Sequence, residues 1–206
     1  MPAGTDLDAV GVEGNARLTG ATGALLLLLL FAEGVTILAI RQLIGVHIFV
    51  GLLLVPPVLL KTGSTGYRFL RYYRGHRPYV RKGPPSLVMR VTGPLVVVST
   101  VLVLASGIAL LAVTPGAPGR LVAAHKVSFA LWFAVMTVHV LGHLAETGRL
   151  AARDWRRGGD RPGRALRRLL VAGSLAAGVG LAAAVFPAAS PWTSGQFRHS
   201  VHDQGR

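Results

Sequence analysis

The chain has 206 residues, of which 51% are hydrophobic and 15% charged, with a formal net charge of +14 and no cysteine. Soluble domains keep roughly a quarter of their residues charged, so the shortfall points to lipid rather than water as the main solvent. The missing cysteine excludes disulfides, thiolate metal sites, iron–sulfur ligation, a Cys nucleophile and Cys-x-x-Cys-His haem attachment, so any haem is non-covalent. Nucleic acid is not the partner that the positive charge implies, because the arginines flank apolar runs and form no basic domain. The excess of Arg over Lys, with abundant Ala, Val and Gly, is the composition of a high-GC bacterial genome.

A membrane-crossing helix needs about 20 mostly apolar residues. After a short polar segment, read as an N-terminal tail over 1–17, the first such run covers 18–40 and contains the unbroken leucines Leu25 to Leu30. A cleaved signal peptide has a basic start and a shorter core. Here the start carries Asp6, Asp8 and Glu13, so a retained helix is expected. The second span covers 43–60 and closes on Lys61. Its Pro56–Pro57 pair removes backbone donors and predicts a kink.

The third span covers 93–113 and ends at the breaker run Thr114-Pro115-Gly116-Ala117-Pro118-Gly119. The fourth covers 121–145. A basic loop over 149–168, a fifth span over 169–187 and a polar tail over 188–206 complete the expected plan, an all-α bundle of about five transmembrane helices.

Loop charge orients the bundle. The segment 61–90 carries Lys61, Arg68, Arg71, Arg74, Arg77, Arg81, Lys82 and Arg90 with no acid, and 149–168 is similarly rich in arginine. The opposite ends of the second and fourth spans have one arginine each, Arg41 and Arg120. Both rich loops are therefore expected in the cytoplasm, with the N-terminus inside and the C-terminus outside. They set topology, and they also suit anionic lipid headgroups. The mixed Tyr and Arg of 67–79 has the look of a helix entering the membrane interface.

Ionisable groups at membrane depth are costly and tend to face a site or each other. Glu33, His47, His125, Lys126, His139 and His143 are the set here. Lys126 can snorkel from near its helix end. His47 and His125 each lie about four residues, or ~6 Å, into their helices from the outer end. Two imidazoles at one depth can clamp a flat ligand, and a bis-His b-type haem is the obvious one. The alternative is a pair of interfacial histidines bonded to carbonyls or to each other. Gly45, Gly51 and the Ser106–Gly107 pair are small residues at that depth, which suits either a porphyrin edge or ordinary helix packing.

His139 follows His125 by fourteen residues, which is ~21 Å along the axis and about 40° around it. That spacing suits two stacked haems. His139 and His143, four apart, also suit a divalent metal. Glu33 can carry protons or bond a Ser, Thr or His, and the tail histidines His199 and His202 read as incidental.

The stretches Val46-His47-Ile48-Phe49-Val50-Gly51, Val55-Pro56-Pro57-Val58-Leu59-Leu60-Lys61 and Gly63-Ser64-Thr65-Gly66-Tyr67-Arg68-Phe69 resemble integral membrane proteins of actinobacteria. So do Ala124-His125-Lys126-Val127-Ser128-Phe129 and His139-Val140-Leu141-Gly142-His143. Those proteins in turn resemble the bacterial cytochrome b561-like group, four-helix membrane cytochromes related to formate dehydrogenase and hydrogenase cytochrome subunits. Covering 18–148, the resemblance implies a four-helix cytochrome b-like core holding haem b in the bacterial cytoplasmic membrane. It implies an electron-transfer protein or cytochrome subunit rather than a stand-alone enzyme, with quinone or a redox protein as partner.

Carried over, the ligand pattern falls on His47, His125 and His139. The di-haem members have a further His on the first span, where this chain has only Glu33. One haem on His47 and His125 is therefore the expectation, with His76 or His143 as substitutes for an inner site. The competing class is a non-redox transporter or scaffold subunit with structural or proton-relaying histidines. No Walker A loop, Gly-x-Ser-x-Gly elbow or paired carboxylates are present to suggest other chemistry.

Overall fold

A computed structural model of the chain describes residues 3–81, 87–113, 119–156 and 163–194, and side chains over 11–81, 90–113, 119–142 and 163–194. The described residues are helical and contain no strand. The helices are α1 (Ala3–Leu38), α2 (Ile40–Tyr73), α3 (Arg77–Arg81), α4 (Leu87–Leu111), α5 (Gly119–Arg156) and α6 (Arg164–Val185). A 3₁₀ turn (Phe186–Ala189) and a short α7 (Ser190–Thr193) follow. Five segments are long and apolar enough to cross a membrane: Gly11–Leu38, Ile40–Tyr73, Arg90–Leu111, Gly119–Gly142 and Arg164–Thr193. They contain the five expected spans or most of each, and the protein is an all-α membrane bundle.

The helices overrun the expected boundaries. The segment expected as an N-terminal tail joins α1 from Ala3, and α5 continues into the expected basic loop as far as Arg156. The expected kink at Pro56–Pro57 is not where α2 departs from helical geometry. Backbone dihedrals stay helical there, and the break falls at Leu43, with φ −106° and ψ 15°. Large apolar side chains such as Leu28, Phe31, Leu59, Val127 and Leu169 are exposed, as they must be where the solvent is lipid tail. In that solvent each backbone polar group has to be met inside the protein, which long helices achieve by themselves.

Packing divides the bundle into α1–α2–α6 and α4–α5, joined by a thinner seam of α2 against α4 and α1 against α5. The buried centre is Leu52 and Leu53 of α2 with Ala182 of α6. The fifth span, expected as an addition to a four-helix core, therefore lies along α2 and helps to form that centre. Gly178 allows this, since a Cβ there would run into the Leu53 carbonyl oxygen. That carbonyl is the one Pro57 leaves without its i+4 N–H donor.

At the arginine-rich end, polar contacts fasten α1 to α2. Lys61 Nζ donates to the Thr19 carbonyl at 2.7 Å, Thr19 Oγ1 to Ser64 Oγ at 3.0 Å, and Asn15 Nδ2 to the Ser64 carbonyl at 3.0 Å. At the opposite end the expected polar tail begins as structure. Ala189 and Trp192 are buried, and Trp192 Nε1 donates to the Leu110 carbonyl at 3.0 Å. The last carbonyls of a helix lack intrahelical partners, so this bond caps α4.

Candidate functional site

Four helices converge at the end of the bundle opposite the arginine-rich loops, each supplying polar side chains there. His47 stands near the start of α2 and His125 near the start of α5. Their ring centroids are 6.5 Å apart, with the planes inclined at 75°. The two expected partners therefore meet, one from each side of the seam.

Each imidazole is fixed by its own helix group. His47 Nδ1 lies 3.0 Å from Glu33 Oε1 and 2.9 Å from Thr36 Oγ1, both on α1. The Thr36 hydroxyl donates to the Glu33 carbonyl, so it accepts from the ring. With the carboxylate also an acceptor, the His47 ring donates from Nδ1. His125 Nδ1 lies 2.9 Å from Ser106 Oγ on α4, whose hydroxyl donates to the Val103 carbonyl at 3.0 Å. Ser128 Oγ stands 3.2 Å from Ser106 Oγ and donates to the His125 carbonyl at 2.9 Å. The His125 ring also bonds the Val103 backbone. Among the described residues, His47 Nε2 has no hydrogen-bond partner.

The Nδ1 anchors suit a pair of histidines that would hold a metal or a haem iron. Metal-bound histidines almost always donate their other N–H to a carboxylate, carbonyl or similar acceptor, as His47 does to Glu33. Two imidazoles that bind one metal from opposite sides at ~2 Å place their ring centres roughly 6 Å apart, close to the separation here. Glu33 itself is mostly buried, and its Oε2 has no hydrogen-bond partner.

The small residues take other roles than a porphyrin edge alone would need. Gly45 faces Thr193 and Phe186 of the α6 cap, and Gly51 faces Glu33 Oε1. Gly107 lies against the His125 ring, where a Cβ would be 3.2 Å from Cε1. A separate cavity of about 260 Å³ is lined by Arg41, Gln42, Phe186 and Trp192 rather than by the histidines.

The inner histidines are not assembled in the same way. His139 Nδ1 is 3.2 Å from Thr92 Oγ1 of α4. His76 packs edge-on to Tyr79, with centroids 5.9 Å apart and a buried, unpartnered Nδ1. The side chain of His143, and all of His199 and His202, lie outside the described residues. Among the described residues, no group of three or more His, Cys, Asp or Glu is placed to hold a metal ion.

Sequence reasoning identified Glu33 as the ionisable group of α1 and His among its expected partners. It missed Thr36 and the hydrogen-bonding role of Ser128. Their signal was the i+3 spacing from Glu33 and His125, which puts each pair on one helix face. No protein-family model, curated protein or solved structure matches the chain, so the site rests on its own geometry.

Proposed function

We propose that this protein is a membrane b-type cytochrome in which His47 and His125 would hold a single haem. The observation that carries this reading is the imidazole pair across the seam, each ring with its Nδ1 anchored by a side chain of a neighbouring helix. When bound, the haem supplies one-electron redox chemistry at its iron. The chain supplies ligation and orientation: Glu33 and Thr36 set the His47 ring, while Ser106 sets the His125 ring and Gly107 leaves room for it. In this reading the arginine-rich loops lie in the cytoplasm, so the site would face outward from a bacterial cytoplasmic membrane with the N-terminus inside. A quinol or a protein is the donor in this scheme, and a redox protein at the outer face is the acceptor.

The purified protein is expected to be red, with a Soret band that shifts on dithionite reduction. His47→Ala and His125→Ala should each bleach it, and His199→Ala should not. Loss of colour in His139→Ala as well would add an inner haem. A second reading has support in the buried, unpartnered Glu33 Oε2. In it, Glu33, His47 and His125 handle protons in a non-redox membrane protein. A colourless preparation from haem-replete cells would favour that reading and reject the cytochrome.

A further inference from the structure

The arginine-rich end of α2 continues well past the apolar core. At 1.5 Å per residue, a helix needs about 20 residues to cross the ~30 Å hydrocarbon layer, and α2 has 34. The apolar run closes at Lys61, so the turns through Tyr73 extend into the headgroup layer. They are not dressed for water: Tyr67, Phe69, Leu70 and Tyr73 are 46%, 54%, 47% and 61% exposed.

The chain then turns back instead of trailing away. Gly75, at φ +74°, ends α2 with bonds from Gly75 N to the Tyr72 carbonyl (3.0 Å) and from His76 N to the Arg71 carbonyl (3.1 Å). This pair of bonds is the Schellman arrangement, which needs a left-handed residue at that position. The following α3 packs on both α1 and α2, and Tyr79 is buried with its ring 6.1 Å from Tyr67. The segment is thus a folded shelf held against the bundle.

The shelf carries unbalanced charge. Among the described residues, Arg68, Arg74, Arg77 and Arg81 have no hydrogen-bond or ion-pair partner. No acid occurs between residues 61 and 90. Arg71 alone is satisfied locally, by the Tyr67 hydroxyl at 3.0 Å. Guanidinium forks bind phosphate oxygens two at a time, and aromatic side chains settle at the headgroup boundary. A topology signal needs only charge; it does not need folded arginines left unpaired beside exposed aromatic rings.

We propose that this shelf binds the phosphate headgroups of anionic phospholipid, with Arg68, Arg74, Arg77 and Arg81 as the recognising groups and Phe69 and Tyr73 seated at the headgroup level beside them. The test uses the full-length protein in liposomes of phosphatidylcholine and phosphatidylglycerol, with spin-labelled forms of each lipid. The immobilised fraction of each label is read by electron paramagnetic resonance. The wild type is expected to prefer phosphatidylglycerol and to lose most of that preference in high salt. Each arginine near the surface contributes up to about fivefold, so Arg74→Gln with Arg77→Gln should lower the preference several-fold. Because removing arginines can reverse insertion, protease protection of the termini is checked for that variant, and the wild-type salt series stands without it. Equal immobilisation of both labels by the wild type, as expected if the shelf serves an acidic protein, would overturn the proposal. So would a preference that salt leaves unchanged.

Discussion

Replacing Gly178 by alanine should loosen the bundle, although alanine is the better helix former. Gly178 is buried where α6 crosses α2. A Cβ there overlaps the Leu53 carbonyl oxygen and comes within 3.2 Å of its carbon and 3.3 Å of its Cα. All three are backbone atoms, so no side chain can rotate aside and the helices must separate. Overpacking of this kind costs about 1–3 kcal/mol. Alanine returns about 1 kcal/mol of helix propensity, leaving a net loss of about 0–2 kcal/mol against wild type and about 1–3 kcal/mol against a glycine-to-alanine change without the clash. Gly180, two residues on, has nothing within 4 Å of its Cβ position, so Gly180→Ala keeps the propensity gain without the clash. Unfolding in mixed micelles titrated with sodium dodecyl sulfate, followed by far-ultraviolet circular dichroism, measures the difference. The expected order of stability is Gly180→Ala at or above wild type, and Gly178→Ala below both. A Gly178→Ala protein as stable as Gly180→Ala would refute the placement of α6 against α2.

Two further predictions concern the histidine pair. Glu33→Gln keeps a hydrogen-bond acceptor beside His47 but removes its charge, so the Soret band should remain. The midpoint potential should rise by on the order of 40 mV, the equivalent of about 1 kcal/mol for one electron; an unchanged potential in redox titration would remove Glu33 from the site. Gly107→Ala places a Cβ 3.2 Å from His125 Cε1 and must displace that ring. It should weaken haem retention during purification, whereas Gly93→Ala, with open space at its Cβ position, should not.

Much of the architecture was legible residue by residue. Runs such as Leu25 to Leu30 leave no alternative to burial in lipid, and 18–40, 43–60, 93–113, 121–145 and 169–187 each correspond to a helix of the structure. The boundaries were less legible because hydropathy measures where lipid begins, not where backbone hydrogen bonding stops. Polar residues such as Asn15, Thr19 and Ser64 read as boundary residues in one dimension, yet they bind each other across α1 and α2 and extend the helices past the apolar core. The Pro56–Pro57 pair misled in the same way. A proline guarantees a lost hydrogen bond, but it does not dictate a break where a neighbouring helix can pack against the freed carbonyl.

For the site, equal depth from one membrane face already paired His47 with His125, because helical rise is the same in every helix. What depth does not contain is azimuth. Whether His47 faces Glu33 and His125, while Gly45 two residues earlier faces Phe186, depends on which helices become neighbours. That choice is made by packing between distant segments: Gly178 against Leu53, and Trp192 against the end of α4. The sequence by itself determined that the chain spans lipid and that its imidazoles lie at one level, since both follow from local transfer energy and a fixed rise per residue. Only the tertiary structure decided how each ring is anchored, because that depends on hydroxyl and carboxylate partners supplied by other helices.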